Sequence, residues 1–76
     1  MTKKINRNRV GKRIKKIRGK TSRRKFALEL GVTQRTVFAW ETNNYIPNGE
    51  FLLRLYEKYS VNVNWLLTGT GKPYMN

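Results

Sequence analysis

The amino-acid sequence predicts an all-α protein, a compact bundle of about five short helices forming one domain. Three observations predict it. Apolar residues recur at intervals of three and four along successive segments, which is the period of one helix face. Glycines and small polar residues separate those segments at the spacing of helix caps. No stretch alternates apolar and polar residues as a strand would, and no repeat or low-complexity tract interrupts the pattern. With 76 residues, 38% of them hydrophobic and 12% aromatic, there is material for one core. A domain of this size buries only about 60% of its unfolded surface, so modest stability is expected.

Residues 1–8 carry Lys3, Lys4 and Arg7 with Ile5 as the only internal apolar anchor. They cannot offset the entropy of ordering and are expected to form a basic mobile arm ahead of a domain spanning residues 9–71. Val10, Ile14 and Ile17 stand at i, i+4 and i+7, one stripe of a first amphipathic helix that Gly19 stops. Ser22 is a plausible N-cap for a second helix over residues 23–30, in which Phe26, Ala27 and Leu30 share a face before Gly31 supplies a turn. Thr33 caps a third helix over 33–42, with Val37, Trp40 and Glu41 on its inner side.

The segment Thr42 to Gly49 is rich in turn formers, and Pro47 discourages a continuous helix, so an ordered loop is expected. Glu50 favours a helix start, and Phe51, Leu52, Leu55, Tyr56 and Tyr59 form the stripe of a fourth helix. Asn62 or Asn64 then caps a last short helix carrying Trp65, Leu66 and Leu67 and ending at Gly69, followed by an irregular tail over 72–76. Trp40 and Trp65 each sit in an apolar stripe and are assigned to the core rather than to base stacking.

Charge narrows the function. Seventeen lysines and arginines against four acids give +13, a balance that attracts a polyanion in a salt-dependent way. All but four of these cations lie in residues 1–25, where there is no acid, so the basic face belongs to the first third of the chain. The absence of cysteine and histidine excludes disulfides, the common zinc sites and histidine-based acid–base chemistry. No catalysis, cofactor or metal is expected. No segment approaches the roughly 20 apolar residues of a membrane span, and none has the form of a signal peptide.

The informative stretch is Ser22 to Asn43, a helix–turn–helix unit over about residues 22–42. A near-perpendicular crossing brings two backbones close, which Ala27 permits. The bend favours Gly31, and Val37 fills the angle between the helices. Phe26-Ala27, Leu30-Gly31-Val32, Val37 and Trp40 together resemble the lambda-repressor-like helix-turn-helix family of phage and bacterial regulators. The resemblance extends from about Arg13 to Gly71 and includes Arg13-Ile14, Arg18, Trp40-Glu41 and the run Val63 to Gly69, which is similar to phage repressors of the repressor and Cro type. Two departures stand out: the Gly19–Ser22 connection is short, and Arg23 occupies a place where many members have glutamine.

Helical geometry orients the third helix without the family. With Gln34 at about 0° and steps of about 100°, Phe38, Thr42, Arg35 and Ala39 fall between about 40° and 140°, and Val37 and Trp40 lie across the axis. This outward set suits a major groove: Gln34 can pair with adenine, Arg35 with guanine, and Phe38 or Ala39 can pack on a thymine methyl. A merely solvated face would not carry Phe38 without cost. Combined with the resemblance, base contacts are expected from Thr33, Gln34, Arg35, Phe38 and Ala39, and phosphate contacts from Ser22, Arg23, Arg24, Thr36, Thr42, Asn43 and Asn44. Cations in the first turn of the second helix, Arg23-Arg24-Lys25, oppose its dipole, which fits a shared phosphate there. Glu41 faces inward and needs a partner, for which the resemblance implies Arg18.

The expected function is that of a sequence-specific regulator of transcription, in all a repressor, that places helix 33–42 in the major groove of double-stranded DNA. The resemblance further implies a cytoplasmic protein of a bacterial or phage-infected cell. One short helix reads about 4–6 base pairs, so a weak homodimer completed on a palindromic operator is expected. The resemblance to phage repressors implies a contact at the start of the last helix, which maps here to Val63, with Tyr74 and Met75 in the tail as additions. A competing reading is an antitoxin-like interaction module that also binds DNA, using Phe38 or the tail on a partner polypeptide. RNA binding would call for more exposed aromatics than Phe38 and some tyrosines.

Overall fold

The computed structural model describes residues 7–75 and contains five helices: α1 (Arg7–Arg18), α2 (Arg23–Leu30), α3 (Gln34–Asn43), α4 (Gly49–Tyr59) and α5 (Val63–Thr68). The first helix opens earlier than its apolar stripe suggested, so Arg7 and Asn8 are helical rather than part of an arm. The remainder of the expected arm, residues 1–6, lies outside the described residues.

Each later helix starts on a side-chain cap. The Ser22 hydroxyl accepts the Lys25 N–H at 3.1 Å, and the Thr33 hydroxyl accepts the Thr36 N–H at 3.1 Å. Asn48 serves α4 and Asn62 serves α5, each accepting a backbone N–H three residues on. These caps satisfy donors that a helix start leaves orphaned. Asn48, not Glu50, thus sets the start of α4; Glu50 instead pairs with Arg54 one turn on, at 2.7 Å. Gly31 ends α2 in the left-handed region at φ 73°, the conformation that favours glycine, and Val32 N–H returns to the Ala27 carbonyl at 3.0 Å.

The core is built where these helices meet. Val10, Ile14 and Ile17 of α1, Phe26, Ala27 and Leu30 of α2, Val37 and Trp40 of α3, and Leu55, Val61, Trp65 and Leu66 are all buried. Tyr56, expected on the inner stripe of α4, is half exposed. Gly11 explains how α1 reaches α3. A Cβ there would collide with the Trp40 and Glu41 carbonyl oxygens, so the two backbones touch. Nothing in the local periodicity marks this glycine, because its neighbours come from a helix thirty residues away.

The tail docks on the body of the domain. Residues 72–75 are tied back to the α4–α5 turn: Tyr74 forms an isolated antiparallel bridge with Val61, Asn62 N–H donates to the Pro73 carbonyl at 2.8 Å, and Met75 N–H donates to the Ser60 carbonyl at 2.7 Å. Ser60, at φ 57°, turns the chain so that these partners meet. Among the described residues, no helix is long and apolar enough to cross a membrane.

Candidate nucleic-acid interface

The turn at Gly31 sets α3 across the end of α2, and burial of Val37 and Trp40 fixes which side of α3 faces inward. Gln34 and Arg35 are consequently exposed, Phe38 is 48% exposed and Ala39 half-buried. Thr33 is exposed at the cap, and its hydroxyl lies 2.9 Å from that of the half-buried Thr36. Thr42 is exposed, with its hydroxyl donating to the Phe38 carbonyl at 2.7 Å, and Asn43 is exposed at the end of the helix.

Ser22 and Arg24 stand exposed at the start of α2, where no acid occupies the first turn. The free amides and the cations therefore present one positive end to solvent, an arrangement suited to an anion. Arg23, Gln34, Arg35 and Phe38 share a shallow depression where the starts of α2 and α3 meet.

Arg23 has a second role that the charge pattern did not disclose. Its Nε donates to Glu41 Oε1 at 3.0 Å, and its guanidinium lies 5.0 Å from the centre of the Phe38 ring. The exposed ring thus carries a cation on one face. Arg23 thus links the outer side of α3, at Phe38, to the buried Glu41.

Behind it, Arg18 donates to both oxygens of Glu41, at 2.6 and 3.0 Å, and to the Thr21 carbonyl at 2.7 Å. The Glu41 side chain is 1% exposed. Burial alone would push its carboxyl up, but hydrogen bonds from Arg18 and Arg23 and their charges outweigh burial and hold it below the ordinary carboxylate range. The Arg18 guanidinium is raised in turn, first by its hydrogen bond to Glu41. One carboxylate therefore joins α1, α2 and α3.

Asn44 is not on the outer surface with the other expected phosphate ligands. In the left-handed region at φ 55°, it ends α3 and turns its side chain inward, where Oδ1 accepts the Gly11 N–H at 3.0 Å. It belongs to the α1–α3 junction. Val63 is half-buried, while Tyr74 and Met75 are exposed beside the α4–α5 turn. The sequence gives no local signal for two further arginine contacts: Arg54 donates to the Leu30 carbonyl at 2.6 Å, closing the end of α2, and Arg13 donates to the Leu66 carbonyl at 3.1 Å, holding α5 to α1.

A short helix, a glycine-bent turn and a second helix presented across the first define a helix-turn-helix domain. The family model described as the bacteriophage CI repressor helix-turn-helix domain matches residues 9–74, and the chain belongs to that family. Among solved structures it is similar to the P22 c2 repressor in complex with a synthetic operator, with 31% identity and a TM-score of 0.71 over 79% of this chain and 94% of that one. It is also similar to the solution structure of the P22 c2 repressor DNA-binding domain, with 28% identity and a TM-score of 0.68 over 91% of this chain and 88% of that one. No curated protein sequence matches it.

Proposed function

We propose that the protein is a sequence-specific regulator, acting as a repressor, that inserts α3 into the major groove of double-stranded DNA. The observation that carries this reading is the outer face of α3, where Gln34, Arg35 and Phe38 stand exposed beside the half-buried Ala39, while Val37 and Trp40 on the inner side are fixed by packing. Membership of the CI repressor family and likeness to a repressor solved with operator support it. In this reading Gln34 and Arg35 supply bidentate base contacts, Phe38 and Ala39 pack on thymine methyls, and Thr33 borders the bases. Ser22, Arg23, Arg24, Thr36, Thr42 and Asn43 hold the backbone. Arg23 keeps only its outer nitrogens for DNA, since Nε serves Glu41. The domain requires no chemistry of its own.

Two such domains bind a palindrome as a weak dimer that is completed on DNA, with Val63 at the contact and Tyr74 and Met75 beside it. The docked tail supports this, because its hydrogen bonds hold Tyr74 and Met75 on the rim of the α4–α5 turn near Val63. Arg35→Ala tests the reading face. Its loss is expected to cost about 1–3 kcal/mol on the selected site and little on random duplex. Equal losses on both would remove Arg35 from base recognition.

A further inference from the structure

The side of α1 turned away from α3 carries a groove toward α5 lined by Arg9, Lys12, Arg13, Lys16, Trp65 and Gly69. We propose that this groove is a second DNA site that takes the phosphate backbone of a duplex other than the one α3 reads, so that one protein bridges two duplex segments. The proposal rests on the reading of α3 as the first DNA site.

Charge is the first reason. Arg9, Lys12 and Lys16 follow one another at close to one-turn intervals of about 5.4 Å along the helix, with Arg13 among them. Nothing among the described residues neutralises them. Glu41 is taken by Arg18 and Arg23, Glu50 by Arg54 and Glu29 by Tyr59, while Glu57 is exposed on α4. Like charges this close repel, and an anion seated between them relieves the repulsion. Burial, with repulsion from Arg9 second, lowers the Arg13 guanidinium from its ordinary value.

The lining selects the class of anion. Trp65 is 8% exposed and covered from above by Lys16, whose Nζ sits 5.9 Å from its ring, so no aromatic face is open to stack an unpaired base. The same burial leaves no apolar group to enter a lipid surface. What remains is a row of cations without base-reading amides, suited to a regular phosphate backbone and indifferent to sequence.

Position decides that the duplex is a second one. Gly11 meets the inner side of α3, at the Trp40 and Glu41 carbonyls. In steps of about 100°, the groove cations lie about 100–200° around α1 from Gly11, and the reading face lies on the far side of α3. The two surfaces are thus separated by the thickness of a helix pair, about 20 Å. A straight duplex held by α3 does not reach the groove.

The test is a capture assay with the full chain and a triple variant, Arg9→Ala, Lys12→Ala and Lys16→Ala. Arg13 is left in place because it holds Leu66, and alanine at the exposed positions favours helix. A duplex bearing the selected site is immobilised, saturated with protein and offered a labelled duplex of unrelated sequence. Retention of protein on the selected over a scrambled duplex reads the α3 site by itself. At about 50 mM salt the wild type is expected to capture the labelled duplex, and the triple variant to hold the first duplex within about threefold while capturing at least about tenfold less. The dependence of capture on log salt is expected to fall by about one for each cation removed. The proposal is overturned by any of four results: no capture by wild type, equal capture by the variant, a parallel loss of first-duplex binding, or more effective competition by unstructured RNA than by duplex.

Discussion

Glu41 joins the interior to Arg23 at the outer surface, and its energetics follow from its burial. Arg18 and Arg23 supply three hydrogen bonds to a side chain that is 1% exposed. Removing the carboxylate strands Arg18, so Glu41→Ala is expected to lower stability by about 3–5 kcal/mol in denaturant titration. A midpoint matching wild type would contradict the buried triad. Because the folded carboxyl is held below its ordinary value, its contribution is complete above the unfolded value of about 4.3 and is lost as pH falls through the lower folded value. Acid titration of stability should therefore flatten in Glu41→Ala relative to wild type. Arg24 is exposed and touches no acid among the described residues, in contrast to Arg23. Arg24→Ala is expected to weaken binding to all duplexes alike and to reduce the salt slope by about one. An unchanged slope would return Arg24 to the solvent.

At the scale of elements, the unit α2–turn–α3 is legible in the sequence because its determinants are local. Ser22 and Thr33 are caps, Gly31 takes a positive φ, and Ala27 and Val37 are buried residues of two helices that follow one another in the chain. The inward direction of Glu41 is legible for the same reason. Contacts that cross the chain are not. Gly11 reads as an ordinary glycine in a basic helix until α3 is laid against it. Asn44 reads as a phosphate ligand in the loop after α3 until its amide oxygen meets Gly11. Arg23 reads as a phosphate ligand in a place where many members have glutamine, and only the fold shows Glu41 and Phe38 beside it. The tail has turn-forming composition, yet backbone partners on the α4–α5 turn order it. Gly11→Ala measures the strength of one such contact. The obstructing atoms are backbone carbonyls, which cannot rotate away, so a loss of about 1–3 kcal/mol is expected despite the gain in helix propensity. A neutral or stabilising result would show that α1 and α3 can separate freely.

For the molecule as a whole, the proposed function divides the work: the net charge of +13 supplies attraction to DNA, and the exposed face of α3 supplies selectivity. One helix discriminates too few base pairs by itself, so pairing of two domains on one operator is central to the proposed function. A contact confined to Val63 and the tail falls below the usual range of about 1,200–2,000 Å², and it is expected to hold only when both domains share a duplex. Val63→Glu should abolish cooperative binding to a full palindrome while sparing a half-site, as sedimentation with the two duplexes would report. A one-to-one complex on the full palindrome with the wild type would contradict the dimer. The central claim, that the outer face of α3 reads base sequence, is tested most directly by selection from a random duplex library with wild type and Arg35→Ala side by side. The predicted result is an inverted repeat with half-sites about 10 base pairs apart from the wild type, and loss of preference at one base pair in each half from the variant. Enrichment of no motif by the wild type, or the same motif at full strength from both, would contradict it.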